Sequence, residues 1–439
     1  MLELLSSGVM TVWLTMAGAP QLVNSSEGVG WQNTPWLGWT NAPDAIAQVR
    51  MQQYLAGLAG KGLNPETQGI WLQSGPLLLA SNRGTTPVPA ASLTKVATTI
   101  AALHHWGPDH RFETRLSATG PVQNGTLQGD LILQSDGDPI IEWEEAIALG
   151  NALNRSGVRN IAGNLVIVGN LTVSFEEDLP KSADLLKQAW SALTWSADFE
   201  YAYRSLPPGT PRPQITIAGD VQLVADNIAR SPKQILLVRH QSPPLRQILK
   251  VMNVESNNTI AQVLTDAIGG TAAMSNQAAT LAGVPSTEIL LKNGSGLGLE
   301  NRLSPRAVCA LFAALQRLLQ SHSLTLADVF PISGIDQGTL EDRKVPRAAV
   351  VKTGTLNEVS ALAGVLPTRD RGLVWFALIN RGTDIEDLRR QQDRLLQLLT
   401  QQWGSVTSSP IALTPTAPVD MKTILGDDRR NEVLPKLGN

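Results

Sequence analysis

Apolar residues recur every three or four positions over several stretches and form short unbroken runs over others, so the chain mixes helices and strands. Asp44 is placed to cap a helix over 44–60, with Ile46, Val49, Tyr54 and Leu55 as its apolar contacts. Residues 69–80 read as strand broken at Gly75-Pro76, and an Ala/Thr-rich helix is predicted over 92–105. From Phe112 to Ser135, short alternating runs are punctuated by Asn124-Gly125 and Gln128-Gly129-Asp130, a hairpin signature. A helix over 142–153 and a strand over 164–168 follow. Residues 170–234 look irregular, with prolines marking turns at Pro207-Pro208-Gly209 and Pro211-Arg212-Pro213. Beyond Ser242-Pro243-Pro244 the period lengthens and predicts helices over 245–252, 257–268, 272–281 and 305–319. The runs 359–366 and 373–379, joined by a turn-rich link, read as adjacent antiparallel strands. A last helix over 384–403 carries Leu388, Leu395, Leu398 and Leu399 at helical spacing, and the Ser/Thr/Pro-rich segment 404–439 is expected to be a disordered tail. The pattern is that of a mixed α/β body whose first and last thirds belong together around a smaller β-rich insert.

Composition narrows the function. The 439 residues are 43% hydrophobic and 17% charged, against about 25% charged in ordinary domains, which leaves ample material for a core. Thirty-five basic and 38 acidic residues give a net charge of −3, unlike the basic footprint of a nucleic-acid binder. The single Cys309 excludes a disulfide framework and a thiolate metal cluster. His104-His105 falls at the end of the 92–105 helix, where carbonyl-bonding side chains are favoured, and no metal or organic cofactor is implied. Residues 1–19 form a candidate signal peptide, apolar from Leu4 and ending in Ala17-Gly18-Ala19. Glu3, the lack of Lys or Arg before the apolar run, and Pro20 argue against cleavage there. No later stretch reaches the roughly 20 apolar residues of a membrane span, so no integral membrane domain is expected.

Three short motifs carry the chemistry: Ser92-Leu93-Thr94-Lys95, Ser256-Asn257-Asn258 and Lys352-Thr353-Gly354, each occurring once. A serine hydroxyl needs an adjacent base to act as nucleophile. Three residues apart on a helix, Lys95 can reach the Ser92 hydroxyl. A lysine serves as that base once desolvation or a neighbouring cation, such as Lys352, lowers its pKa. Ser256 can pass a proton to the leaving amine, and Asn258 can hold Lys95 and the substrate amide. Lys352 and Thr353 would set a cation and a hydroxyl at a sheet edge for a substrate carboxylate, with Gly354 admitting close backbone approach. The backbone N–H groups of Ser92 and Thr355 form the natural oxyanion hole, worth about 3–4 kcal/mol per donor.

Alone, each motif has a bland reading: an exposed helix turn, a cap, a strand-end turn. Together, in this order and these contexts, they resemble the D-alanyl-D-alanine carboxypeptidase/endopeptidase family, the class C low-molecular-mass penicillin-binding proteins. The likeness extends to Gly129-Asp130-Leu131-Ile132-Leu133, Gly137-Asp138-Pro139, Gly294-Ser295-Gly296-Leu297, Asn301-Arg302-Leu303-Ser304-Pro305, and Gly338-Thr339-Leu340 with Arg343. It implies a penicillin-recognising, β-lactamase-like fold: an antiparallel sheet flanked by helices, a helical region, and an inserted β-rich domain. The expected division is a catalytic domain from 20–115 and 239–403, an insert over 116–238, and the tail. The implied catalytic residues are Ser92, Lys95, Ser256 and Asn258, with Lys352, Thr353, Gly354 and Thr355 binding substrate. Peptidoglycan stem peptides would be the substrate, β-lactam antibiotics covalent inhibitors, and the site of action periplasmic or otherwise extracytoplasmic. Departures are Asn293 and Asn170, where the family usually has Asp, and Ala91 before Ser92. An inactive wall-binding protein and a β-lactamase are the alternatives. Against the second, no Glu-x-x-x-Asn occurs between Ser256 and Lys352.

Overall fold

The computed structural model describes residues 44–224, 234–417 and 424–435; the candidate signal peptide lies outside them. A five-stranded antiparallel sheet runs in the order Val350–Leu356, Val359–Thr368, Gly372–Arg381, Gly69–Ser74, Leu77–Asn82. The two long runs pair as the sequence predicts, Val365 opposite Trp375, because each is apolar on both faces and must be covered twice. One face is covered by helices Ala45–Ala59 and Ile385–Trp403, which bury Leu55, Leu58, Leu388, Leu395 and Leu399 against Leu72, Leu362 and Phe376. Asp44 caps the first of these through Ala47 N–H. The other face packs on helices Thr94–Trp106, Leu245–Glu255, Asn258–Ala267, Gly270–Ala282 and Pro305–Gln320. Val350–Leu356 is the edge strand; Ile332 bridges its first residue, Val350, and Val351 N–H donates to Pro331 O at 3.0 Å.

The insert leaves on strand Glu113–Ala118 and returns on Ile235–Gln241, which pair antiparallel with Leu116 opposite Val238. They belong to a six-stranded sheet with its own core, built on Leu116, Leu133, Ile147, Ile167 and Trp190. The insert is more helical than its sequence suggests. Within the stretch expected to be irregular lie helices Leu179–Ala189 and Ala197–Ser205. Asp178 caps the first by accepting from Lys181 N–H, and Ala183, Leu186 and Ala189 give it a buried stripe. The turn-forming prolines nearby mask that signal.

The tail also differs from expectation. Leu413 is fully buried, and strand Asn431–Val433 closes the edge of the insert's sheet by pairing with Ile235–Gln241. Its polar composition resembles disorder, but an unpaired sheet edge supplies the partner that local propensity lacks. Arg430 donates to the wholly buried Glu145 and to Ile424 O at 2.6 Å, while Gly426 N–H donates to Glu145 at 2.9 Å.

Arg430→Ala should therefore strip a buried carboxylate of its cation. Burial already raises the Glu145 pKa, against the pull of Arg430 and His240, so the carboxyl can take up a proton in relief. The expected loss is about 3 kcal/mol, at the low end for breaking a buried pair. It should shrink as pH falls and be partly recovered by adding Glu145→Gln. Thermal melts of the three proteins at two pH values check this.

Candidate active site

The chain turns sharply before the helix that begins at Thr94. Ala91 is left-handed at φ 48°, and a 3₁₀ turn, Ala91–Leu93, delivers half-exposed Ser92 to the helix mouth. A Cβ at Gly296 (φ +87°) would lie 2.0 Å from Ala91 O, so only glycine lets the 293–296 loop abut this turn. One helical turn on, Lys95 Nζ sits 3.1 Å from Ser92 Oγ. It also donates to Asn258 Oδ1 at 2.7 Å and Ser295 O at 2.8 Å.

Ser256 and Asn258 come from the break between two helices. Ser256 ends Leu245–Glu255 in the left-handed conformation, φ 56° and ψ 37°. Asn257 caps the next helix by accepting from Ile260 N–H at 2.9 Å, which leaves Asn258 its first residue. A non-glycine residue held left-handed costs about 1–3 kcal/mol and marks a position that surrounding structure dictates. Here it aims the Ser256 hydroxyl at Lys352, whose Nζ donates to it at 3.0 Å and to Thr353 O at 2.9 Å. Thr353 hydrogen-bonds Thr339 Oγ1 at 2.9 Å, and Thr355 Oγ1 accepts from Arg389 at 3.0 Å. Gly354 lies where the strand passes the Ser92 turn: a Cβ would meet Ala90 O at 3.0 Å and Ser92 N at 3.1 Å. All eight residues singled out in the sequence thus line one edge of the catalytic sheet and the helix ends facing it.

The electrostatics follow from burial. Both lysines are 0% exposed, and among the described residues every hydrogen-bond partner of their amines is a neutral oxygen. Desolvation disfavours the ammonium, so burial brings Lys95 down to about 7. Burial, reinforced by the charge of Lys95, holds Lys352 well below the ordinary lysine range. A neutral amine keeps a lone pair for the Ser92 hydroxyl.

Sequence reasoning gave no role to four participants. Ser295 acts through its carbonyl, which no side chain announces. Asn293 folds the loop that presents it, accepting from Gly296 N–H at 2.7 Å and Ser295 Oγ at 3.1 Å. Thr339 belongs to the Gly-Thr-Leu segment noted above, and Arg389 sits on the last long helix. Asn170 lies elsewhere, in a cleft lined also by Asp136, Glu177 and Asp266. Among the described residues no group of His, Cys, Asp and Glu side chains is placed to hold a metal, and no helix is long and apolar enough to cross a membrane.

Comparison with known proteins gives the family and the fold. Residues 72–178 and 176–402 match the D-Ala-D-Ala carboxypeptidase 3 (S13) family. The D-alanyl-D-alanine carboxypeptidase DacB of Haemophilus influenzae is 24% identical, covering 72% of this chain and 85% of its own. Penicillin-binding protein 4 from that organism aligns at TM-score 0.63 and 19% identity over 80% of this chain and 99% of its own. A predatory peptidoglycan endopeptidase of Bdellovibrio bacteriovorus aligns at TM-score 0.65 and 21% identity over 79% of this chain and 96% of its own. Its penicillin G-acylated form aligns at TM-score 0.67 and 23% identity over 78% and 94%. These likenesses carry the fold.

Gly354→Ala should test the close approach between strand and turn. The added methyl pushes apart by a few tenths of an ångström two segments that must stay in register. Acylation should slow at least tenfold, the scale of a weakened oxyanion donor, with little change in melting temperature. Stopped-flow measurement with a chromogenic β-lactam reads the rate.

Proposed function

The chain belongs to the D-Ala-D-Ala carboxypeptidase 3 (S13) family and is a serine carboxypeptidase, and on that premise we propose that Ser92 is its nucleophile and Lys95 the base that activates it. The observation that carries this reading is the Lys95 amine, fully buried, 3.1 Å from the Ser92 hydroxyl and brought by burial to about 7. A base with its pKa near the working pH combines a useful neutral fraction with adequate proton affinity.

In the proposed cycle the peptide ending in D-Ala-D-Ala lies along Val350–Leu356. Ser92 Oγ attacks the penultimate carbonyl while its proton passes to Lys95 Nζ. The backbone N–H groups of Ser92 and Thr355 take the developing oxyanion. Ser256, held by Lys352, relays a proton to the departing D-Ala nitrogen, and Asn258 fixes Lys95 and the substrate amide. Water then attacks the ester by the reverse relay and frees the serine. Stem peptides of peptidoglycan supply such termini, and their D-Ala-linked cross-bridges offer the same bond to an endopeptidase. The acylated state of the Bdellovibrio relative supports β-lactams as covalent inhibitors. Peptidoglycan lies outside the cytoplasmic membrane, so an extracytoplasmic site of action follows from this reading.

Purified protein incubated with penicillin should gain one penicilloyl group on Ser92, mapped by mass spectrometry; Ser92→Ala should gain none. An adduct on Ser256 would overturn the assignment. Lys95→Ala should lose acylation almost as completely, because nucleophile and base act as a unit.

The pH profile carries an independent check. Lys95 must be neutral to accept the proton, so protonation below its pKa removes the base. Acylation by penicillin should rise about tenfold per unit up to pH about 7 and level off above it. A rate indifferent to pH between 5 and 8 would rule Lys95 out as the base.

A further inference from the structure

Sequence reasoning gives Lys352 the substrate's terminal carboxylate. In the structure its amine is wholly buried, turned toward Ser256 and Thr353 O, and held by burial well below the ordinary lysine range. A group in that state is a poor anchor for an anion arriving from solvent.

A different cation stands beside the exposed Thr355. Arg389, in the second turn of helix Ile385–Trp403, donates from Nη2 to Thr355 Oγ1 at 3.0 Å and from Nη1 to Glu386 Oε1 at 2.6 Å. Its side chain is 32% exposed, and Glu386, at 65%, is its ion-pair partner. Thr355 follows Gly354, whose Cα lies against the Ser92 turn. The substrate has a single residue beyond the scissile bond, so its carboxylate sits about 3.5 Å further along an extended chain. One step along the sheet strand, also about 3.3 Å, leads from Gly354 to Thr355. The two steps match.

We infer that Arg389, together with the Thr355 hydroxyl, reads the terminal carboxylate of the substrate and so makes the enzyme select free C-termini. The inference rests on the proposed acyl-enzyme at Ser92. A guanidinium keeps its charge across the working range and offers a planar fork that matches a carboxylate. Glu386 is then a competitor: its carboxylate holds the same guanidinium until the substrate's displaces it.

Two matched tripeptides test this, one ending in D-Ala-D-Ala with a free carboxylate and one with that carboxylate amidated. Arg389→Gln should raise KM for the free acid about tenfold, as expected for one partly exposed charge-assisted contact, with a smaller change in kcat. The amide should respond less than about twofold, being neutral where the guanidinium acts. Arg389→Lys should fall between, and Glu386→Gln should lower KM for the acid. Added salt should raise KM for the acid in the wild type and leave Arg389→Gln nearly flat. Equal loss on both peptides, or none on either, overturns the inference. Mass mapping of the penicillin adduct in the wild type separates the two layers. Absence of a Ser92 adduct would defeat the acyl-enzyme reading. A Ser92 adduct with an unchanged acid-to-amide ratio in Arg389→Gln would defeat only the role of Arg389.

Discussion

The site depends on two lysine amines buried without a carboxylate beside them. Moving an ammonium out of water costs several kcal/mol even after the protein relaxes, and elsewhere in this chain that cost is met by an acid. Lys250, for example, is buried against Asp336 at 2.7 Å, and that carboxylate opposes the downward pull of burial on its pKa. Among the described residues, Lys95 and Lys352 have only hydroxyl, amide and carbonyl oxygens to bond. The cheaper outcome is loss of a proton, which leaves each amine a lone pair able to accept one. Adding a carboxylate here would stabilise the charged form and disable the same groups.

Keeping the chamber neutral requires oxygens from four distant parts of the chain, and each arrives at a conformational cost. Ala91 and Ser256 are left-handed without being glycine, and Gly296 and Gly354 stand where a methyl group has no room. At about 1–3 kcal/mol for each strained residue, the turn and the helix break would not persist in isolation. The apolar cluster around them offsets the strain: Leu93, Val96, Ile100, Leu249, Met252, Ile260 and Leu264 are all essentially inaccessible to water. Packing therefore fixes the positions of the polar groups, which in turn fix the proton affinities.

This division explains what could be read from the sequence. Helix limits were legible where a cap or a strong apolar period writes them: Asp44 announces Ala45–Ala59, and the spacing of apolar residues gives Pro305–Gln320 and Ile385–Trp403, which the structure caps with Ser304 and Asp384. The motif residues were legible because their side chains do the bonding. Ser295 was not, since a backbone carbonyl can belong to any residue. Arg389 was not, since on a helix that also carries Glu386, Asp387, Arg390, Asp393 and Arg394 its sequence reads as one more solvated pair; only the fold of the sheet brings Thr355 beside it. The strand Asn431–Val433 escaped because its stability comes from the edge it covers and not from its own residues.

The insert is less separable from the catalytic body than its private core implies. Its 174–177 segment reaches across to the helix that starts with Asn258. Thr259 Oγ1 donates to Phe175 O at 3.3 Å and to Glu177 Oε1 at 3.2 Å, and Phe175 packs into the catalytic core. Ser174 and Phe175 are both left-handed, at φ 50° and 60°, a strain that this contact helps to hold. From the other side, the segment bearing Arg430 and Asn431 ties the insert's Glu145 and His240 to the chain's end. A body fastened at its two connecting strands, at the Asn258 helix and at the C-terminal segment cannot swing as a free lid. Its loops therefore sit at fixed positions relative to Lys95 and Ser92, so any chain they contact meets the Ser92 hydroxyl in a geometry set by the fold.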